Sequence, residues 1–415
     1  MRSVRFAASS MRAGLSPSAA TWVLLQQVAV RGLVAVKFLA IGRILGPIAI
    51  GRVSVALLAV AIAEALSDTG LAQAVIQGRE MPTRSELGAV WTTLLARGVF
   101  VALLLVALAP LMASQFHLDG GLLLLQLAAL LPLMRGIASP TYFVVQRERR
   151  FQHIAAVEIA AALADCSVGI TLALTGAGAY SVLIGMTLGE ALKSTLTWVT
   201  MRPRPPLALR WSGIGHYIGF SRWIWASSVV NLVLNQFDKI VVGKMLGPAQ
   251  LGAYQMSSRL AQMLLADAAI AMSQYLFPTF AAHHRNDARH AARLFKLYLA
   301  IAAAGLVVIV FVLRLIAEPL FALVLGPQWM PAVPLFRIFV VNMALGALIA
   351  VLVAYLRARG DARTAAQASI MQVVVLFSVV PPAMHFHGVT GIAWCMTAGL
   401  GTAMLWMLLR TVKAR

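Results

Sequence analysis

The feature that most constrains this chain is a series of long apolar runs that fills almost its whole length. Runs of about 20 residues recur from position 20 to the C-terminus, and a helix of that length crosses the roughly 30 Å hydrocarbon core of a bilayer. Backbone polar groups within a bilayer must pair internally, so such runs fold as helices. The sequence therefore predicts an all-α integral membrane protein and leaves no segment for a soluble domain.

Breaks between the runs predict about twelve transmembrane helices in two bundles of six. The predicted N-terminal bundle is 1–201, an Arg/Pro-rich cytoplasmic connector is 202–213, and the C-terminal bundle is 214–415. Proline inside the fourth and eleventh spans favours bends there. The predicted spans are 20–41, 48–66, 87–111, 122–145, 154–174, 180–201, 214–242, 251–277, 294–316, 333–355, 364–384 and 388–409.

The placement of positive charge indicates the topology. A formal net charge of +20 would favour a nucleic-acid partner in a soluble chain. Here most Lys and Arg residues lie in alternate connections, as the positive-inside rule expects of cytoplasmic loops. The charge thus predicts that both termini are cytoplasmic and that no nucleic acid is bound. Because Arg31 and Lys37 interrupt the first apolar run and no AxA-like cleavage site follows it, we expect a retained helix rather than a signal peptide.

Sequence motifs of soluble enzymes are absent. The chain contains no Walker A loop, no HExxH and no GxSxG, and its histidines lack metal-ligand spacing. Cys166 and Cys395 both lie inside apolar runs, so neither a disulfide framework nor a CxxC metal site is indicated. We therefore expect a protein that is not an enzyme and that has no metal and no cofactor.

A repeated segment indicates that the two halves are related. GRILGPIAIG at 42–51 recurs 201 residues later as GKMLGPAQLG at 243–252, with five identities. Each copy follows the first predicted span of its half. Since LGP also occurs out of register at 325–327, the alternative is that LGP is only a turn signal. The equal offset across ten residues favours duplication.

Polar side chains share one face of the first predicted span and one face of the seventh. At 100° per residue, each set falls within an arc of about 100–140°. Such faces should avoid lipid and line a cavity, although interhelical hydrogen bonds are the alternative. The residues are Gln26, Gln27, Arg31 and Lys37 in the first span, and Ser227, Ser228, Asn231, Asn235 and Asp238 in the seventh.

Ionisable residues near the middle of spans are mostly cationic, and a charge there costs several kcal/mol unless it meets water or a partner. The excess of arginine predicts a positive interior that suits an anionic passenger. Lys37 and Arg259 lie nearer span ends, while Glu190 and Lys193 are expected to neutralise each other at i,i+3. The mid-span residues are Arg31, Arg97, Arg135, Asp165 and Asp267.

Three acidic residues within the predicted spans are candidates for coupling to H⁺ or Na⁺. Asp165, Asp238 and Asp267 could each change ionisation as substrate binds, because a carboxylate in a low-dielectric cavity is sensitive to neighbouring charge. A structural ion pair with a neighbouring Arg is the alternative for each of them. The residue pattern does not rank the three.

Three segments carry a family resemblance: LSDTGLAQAVIQ at 66–77, FDKIVVGKMLGPAQLGAY at 237–254 and LGPQWMPAVP at 325–334. In their order and spacing the chain resembles the polysaccharide-transport (Wzx-like) flippases of the multidrug/oligosaccharidyl-lipid/polysaccharide (MOP) exporter superfamily. The resemblance implies two six-helix bundles in a V, with a central cavity open alternately to cytoplasm and periplasm. Many relatives carry two further C-terminal helices.

The resemblance implies a flippase that moves undecaprenyl-pyrophosphate-linked oligosaccharide, such as an O-antigen, capsule or exopolysaccharide unit, across the bacterial inner membrane. Its expected partners are this lipid-linked oligosaccharide, membrane lipids, a polysaccharide polymerase and glycosyltransferases, and the protein is expected to be a monomer. The alternatives are a multidrug/cation antiporter of the same superfamily, a membrane-embedded glycan polymerase or ligase, and a scaffold.

The candidate substrate-binding residues follow from the charges and the polar faces. Arg31, Arg97 and Arg135 are expected to hold the pyrophosphate, because guanidinium groups bind phosphate oxygens in pairs. Polar groups on the seventh span are expected to contact sugars, with two further cations in the cavity. These additional candidates are Ser228, Asn231, Asn235, Lys37 and Arg259.

Overall fold

The computed structural model of the chain describes residues 19–78, 80–206 and 215–413. The elements of these ranges are helices, and we number the α-helices α1 to α13 in chain order. A 3₁₀ turn, Pro327–Ala332, lies between α11 and α12. The helices are α1 Ala19–Leu66, α2 Leu71–Gln77, α3 Arg84–Gln115, α4 Leu122–Ala128, α5 Leu130–Ile137, α6 Thr141–Arg147, α7 Phe151–Leu174, α8 Tyr180–Thr200, α9 Gly215–Asn286, α10 Ala288–Leu315, α11 Ala317–Val324, α12 Val333–Ala358 and α13 Ala362–Lys413.

Three of these helices are interrupted by a glycine with positive φ. The φ angle is 76° at Gly46 in α1, 80° at Gly247 in α9 and 56° at Gly388 in α13. Residues with a Cβ rarely adopt this conformation, which glycine tolerates without strain. Pro47 and Pro248 follow the first two glycines, where their missing N–H helps to end the preceding helix. Divided at these glycines, with α4–α6 taken as one segment and the short α2 and α11 left out, the described helices correspond to the twelve predicted segments.

Length and apolarity support the assignment to the membrane. Within the described ranges seven helices qualify as spans on their own, and the bent pair Leu122–Ile137 and Thr141–Arg147 supplies an eighth. This total of eight is smaller than twelve because α1 counts once, although it contains two segments, and because α8 and α9 are not included. The bend of 61° in the pair precedes Thr141, next to Pro140, as predicted for the fourth span. The break in α13 lies at Gly388 instead of at the predicted prolines.

The chain forms two compact units. The first unit is residues 1–41, 59–111 and 122–232, and the second is 42–58, 112–121 and 233–415. Helices α1, α3 and α9 each contribute to both units. The predicted division into bundles 1–201 and 214–415 with a connector at 202–213 stays a prediction.

Within the second unit, the two copies of the repeated segment cross each other at their glycines. A Cβ at Gly51 would overlap the carbonyl oxygen of Pro248, and a Cβ at Gly252 would overlap that of Pro47. Contact is therefore reciprocal, with each copy placing its last glycine on the other's proline. Gly46 and Gly247 share one backbone conformation, but Gly326 of the out-of-register LGP adopts a similar one, so it is the reciprocal crossing and not the turn conformation that favours duplication.

The 3₁₀ turn binds the first copy of the repeat. Trp329, which is 0% exposed, donates from Nε1 to the carbonyl oxygen of Gly42 at 2.8 Å. Gln328 donates from Nε2 to the carbonyl oxygen of Arg43 at 2.7 Å, and Arg43 donates in turn to that of Leu323. These bonds tie the LGPQWMPAVP segment to the GRILGPIAIG segment inside one unit. Motifs distant in sequence thus form one structural cluster.

In the first unit, small residues allow α7 and α8 to approach closely. A Cβ at Gly185 would lie 2.8 Å from the carbonyl oxygen of Asp165, and one at Gly189 would lie 2.9 Å from that of Ala161. Glycine at such crossings lets helix backbones come together, as is common in membrane proteins. This packing brings the ionisable side chains of the two helices to one place.

Candidate functional site

Arg135 on α5 forms the centre of an ion-pair network in the first unit. Its Nη1 lies 2.7 Å from Oε2 of Glu64 on α1, and its Nε donates to Oε1 of Glu190 on α8 at 2.9 Å. The Arg135 side chain is 39% exposed, so its two partners do not enclose it. One guanidinium therefore joins α1, α5 and α8 while part of its surface stays accessible.

Two further ion pairs lie beside this centre. Lys193 on α8 pairs with Oε1 of Glu158 on α7 at 2.7 Å, and the same oxygen accepts a hydrogen bond from the Tyr142 hydroxyl at 2.7 Å. Lys37 on α1 pairs with Asp165 on α7, and Lys37 is 7% exposed. Pairing within the membrane offsets the large cost of placing single charges there.

A cavity of about 190 Å³ joins these groups. Three carboxylates and one ammonium line it, together with apolar and small side chains of α1, α7 and α8. The charged lining residues are Glu158, Asp165, Glu190 and Lys193. The other residues at its wall are Val30, Val34, Ala161, Ala162, Met186 and Gly189. A concave site with a few converging polar groups on apolar walls is the usual form of a ligand pocket.

The charge in this network corrects two predictions. Glu190 and Lys193 do not neutralise each other as expected, because the crossing of α8 with α5 and α7 offers each of them a partner on another helix. The predicted cationic interior is also wrong for this cluster. Its described charged groups are four carboxylates and three cations, with Arg97 at its edge as a fourth cation. Local charge is therefore balanced.

The other two predicted pyrophosphate ligands differ in their surroundings. Arg97 on α3 donates from Nη2 to the carbonyl oxygen of Glu64 at 2.9 Å and from Nε to the Ser67 hydroxyl at 3.1 Å. It thereby satisfies carbonyl groups at the end of α1, where helices leave acceptors unpaired. Arg31 is exposed on α1, beside the cavity-lining Val30. Of the predicted residues, Asp165 lines the cavity, while Lys37 and Arg135 each pair with a lining residue, Asp165 and Glu190.

The predicted sugar ligands of α9 lie elsewhere. Ser228 donates to Oδ2 of Asp68 at 2.7 Å, so it anchors the turn that follows α1. Asn231 donates from Nδ2 to the carbonyl oxygen of Ser227 on its own helix at 2.8 Å. Asn235 lies in the second unit, where its carbonyl oxygen accepts a bond from Lys239. The described contacts of these residues are interhelical or local hydrogen bonds. Interhelical hydrogen bonding was the alternative to a cavity-lining role for this polar face.

The remaining predicted residues belong to the second unit. Asp238 is 5% exposed and accepts a hydrogen bond on Oδ2 from the Tyr254 hydroxyl at 2.7 Å. Its Oδ1 is buried and has no hydrogen-bond partner in the part of the chain that the structure describes. Arg259 donates to Oε1 of Gln262 on the same helix at 3.0 Å. The side chain of Asp267 lies outside the described residues.

Sequence reasoning missed Glu64 and Glu158, which supply two of the four carboxylates. Glu64 lies two residues before the end of a predicted span and Glu158 four residues after the start of another, so neither is among the mid-span ionisable residues. Each is an acidic residue inside an otherwise apolar run, which is the signal that could have found them. Their partners come from other helices and leave no trace in local sequence spacing.

Comparison with known proteins places the chain in a family. Its residues 40–334 match the family described as "Polysaccharide biosynthesis protein". It is 23% identical to lipopolysaccharide biosynthesis protein WzxC of Escherichia coli over 78% of this chain and 66% of that protein. It is 25% identical to succinoglycan biosynthesis transport protein ExoT of Rhizobium meliloti over 82% of this chain and 68% of that protein. The chain thus spans about two thirds of the length of these relatives.

The fold also matches a solved transporter. The structure of the lipid II flippase MurJ in its inward closed conformation superposes with a TM-score of 0.74, over 94% of this chain and 87% of that one, at 12% identity. At this identity the likeness shows the fold alone, which is the all-helical fold of about twelve membrane-crossing helices. The chain therefore belongs to the family described as "Polysaccharide biosynthesis protein".

Proposed function

We propose that this protein is a flippase that translocates an undecaprenyl-pyrophosphate-linked oligosaccharide across the bacterial inner membrane by alternating access. The observation that carries the proposal is the partly exposed guanidinium of Arg135 beside a polar cavity in a membrane-spanning unit. A protein that only anchored enzymes would have no need for such costly charges. The names of ExoT, a transport protein, and MurJ, a flippase, support a transporter, and the names of the family and of WzxC support a role in polysaccharide biosynthesis.

In this mechanism a pyrophosphate competes with a carboxylate for Arg135. Glu64 and Glu190 hold the guanidinium in the absence of substrate, and a pyrophosphate can replace Glu64 at Nη1, because it presents the same geometry with more negative charge, while Glu190 stays on Nε. The network keeps Arg135 positioned at low local net charge. Release of substrate is then assisted by return of Glu64.

The setting proposed for this function follows from the charge pattern and the family. We place the protein in the inner membrane with both termini in the cytoplasm, since the basic connections alternate along the chain. A monomer contains the whole charged cavity, because every described lining residue lies in one unit of one chain. A polysaccharide polymerase and glycosyltransferases are proposed as functional partners, since a flipped glycan must be built before transport and consumed after it.

The first test is transport by the purified protein. Liposomes containing undecaprenyl-pyrophosphoryl-N-acetylglucosamine in both leaflets are treated from outside with a galactosyltransferase and labelled UDP-galactose. We expect labelling to stop at about half of the lipid in protein-free vesicles, because only the outer leaflet is accessible, and to approach completion when the protein is present. Labelling that stays at half with folded, reconstituted protein contradicts the proposal.

Asp238 is proposed to couple transport to a cation gradient. This carboxylate is buried in a span with one hydrogen-bond donor and without a cationic partner among the described residues, and its Oδ1 accepts no hydrogen bond from them, so it offers a position for H⁺ or Na⁺. Asp165 already has Lys37 as its partner. In the liposome assay we expect an imposed H⁺ or Na⁺ gradient to accelerate flipping by the wild type and not by Asp238→Asn.

The matched control is Asp287→Asn, which removes a carboxylate from the exposed junction between α9 and α10. Its response to both gradients should equal that of the wild type. If Asp238→Asn responds as strongly as this control, Asp238 is not the coupling residue.

A further inference from the structure

The carboxylates that line the cavity of the first unit have oxygen atoms beyond those that form their ion pairs. In each of its three carboxylates one oxygen makes the ion pair: Oδ1 of Asp165 with Lys37, Oε1 of Glu158 with Lys193, and Oε1 of Glu190 with Arg135. The second oxygen of each carboxylate takes part in none of these pairs. The cavity thus offers several hydrogen-bond acceptors whose charge is already compensated.

This lining favours a neutral ligand rich in hydroxyl groups. A free cation is disfavoured because Lys37, Lys193 and Arg135 already balance the three carboxylates. A phosphate is disfavoured because three carboxylates would face it. Hydroxyl groups, in contrast, donate well to carboxylate oxygens, and charge-assisted bonds of this kind are about twice as strong as neutral ones. Val30, Val34 and Met186 provide an apolar wall for the C–H face of a ring.

The cavity is large enough for a sugar ring. Its volume of about 190 Å³ is more than ten times the roughly 10–15 Å³ that one water molecule needs on the same measure. The walls of α1, α7 and α8 can therefore accommodate a sugar residue of a longer glycan.

The position of the cavity suggests which sugar this is. Glu190 lines the cavity and at the same time accepts a hydrogen bond from Arg135 at 2.9 Å. A pyrophosphate bound to Arg135 would have its next covalent group within about one side chain of the cavity. In a lipid-linked oligosaccharide that next group is the first sugar.

We propose that the cavity lined by Glu158, Asp165, Glu190 and Lys193 is a subsite for the sugar attached directly to the pyrophosphate. This proposal rests on the proposed function and adds a specificity determinant to it. The first sugar is selected by its hydroxyl pattern against fixed carboxylate oxygens, while the more distant sugars of the repeat unit remain outside the cavity. Selection thus acts on the part of the glycan nearest to the lipid.

The test compares the affinity of the purified protein for lipid pyrophosphates with and without one sugar. The probes are farnesyl pyrophosphate and its glucosyl, galactosyl, N-acetylglucosaminyl and N-acetylgalactosaminyl derivatives. We expect at least one glycosylated probe to bind the wild type about tenfold more tightly than farnesyl pyrophosphate. In Ala162→Phe, which fills the cavity from α7, that ratio should fall to about one.

The control is Leu163→Phe on the same helix, because Leu163 is 50% exposed and does not line the cavity. It should retain the wild-type ratio. Val34→Phe fills the cavity from α1 and replaces Ala162→Phe if that variant does not fold. The subsite is overturned if the wild-type ratio is about one for all four sugars, or if it persists in the folded cavity-filling variant. Failure of farnesyl pyrophosphate itself to bind the wild type instead contradicts the pyrophosphate site at Arg135.

Discussion

Replacing Gly51 or Gly252 with alanine is expected to destabilise the protein by about 3 kcal/mol or more, at the upper end of the cost of overpacking. At either position the new Cβ would overlap a backbone carbonyl oxygen of the other repeat, that of Pro248 or that of Pro47. Backbone yields less readily than a flexible side chain, so the crossing must open. The measurements are thermal unfolding in one detergent and the abundance of each variant in membranes.

Gly32→Ala and Gly346→Ala are the matched controls, since a Cβ at either site meets nothing within 4 Å. Both lie in helices, where alanine is favoured over glycine by about 1 kcal/mol, so these variants should be neutral or slightly stabilised. If Gly51→Ala and Gly252→Ala unfold at the temperature of the controls, the crossing of the repeats is not as close as described.

Replacing Arg135 with methionine is expected to slow flipping in the liposome assay and to lower stability. The change removes the proposed pyrophosphate ligand, and it leaves Glu64 and Glu190 without their cation. A hydrogen bond to a charged group contributes roughly 1.5–3 kcal/mol, so its loss predicts a flipping rate that is roughly ten- to a hundredfold lower. Unpaired carboxylates within a span add a separate cost in stability.

A triple variant separates these two effects. Arg135→Met with Glu64→Gln and Glu190→Gln removes the charges of all three partners, so we expect abundance and unfolding temperature to recover toward wild type. Flipping should remain as slow as in Arg135→Met, because no guanidinium is left for the pyrophosphate. The control is Arg337→Met with Glu318→Gln, which neutralises an ion pair of the second unit. If the triple variant flips the lipid at the wild-type rate, Arg135 is only a counter-ion for Glu64 and Glu190 and does not bind the pyrophosphate.

Much of the fold could be predicted because its signals are local. The helical segments lie close to their predicted positions, since partition of an apolar run into a bilayer depends on that run alone. The breaks at Gly46 and Gly247 follow from Gly-Pro chemistry, and their equivalence follows from the repeat. Family resemblance likewise rested on contiguous motifs, which the match over residues 40–334 supports.

The candidate site was predicted only in part. Arg135, Lys37 and Asp165 were singled out because a charge in an apolar run is conspicuous in any sequence. Their partners were not predicted, and Glu190 was assigned to Lys193 because helical spacing is the one proximity that a sequence displays directly. A partner on a neighbouring helix leaves no signal in the local sequence, so the pairing of Glu190 with Arg135 could not be predicted.

The sequence by itself determined that this chain enters a membrane as helices, where those helices break, and that two segments are copies of each other. These properties depend on hydrophobicity and backbone conformation over short stretches of chain. Only the tertiary structure decided which charges pair, because Arg135 meets Glu64 and Glu190 through the crossing of three helices. The same crossings make a balanced polar cavity out of residues whose sequence pattern had indicated a positive one.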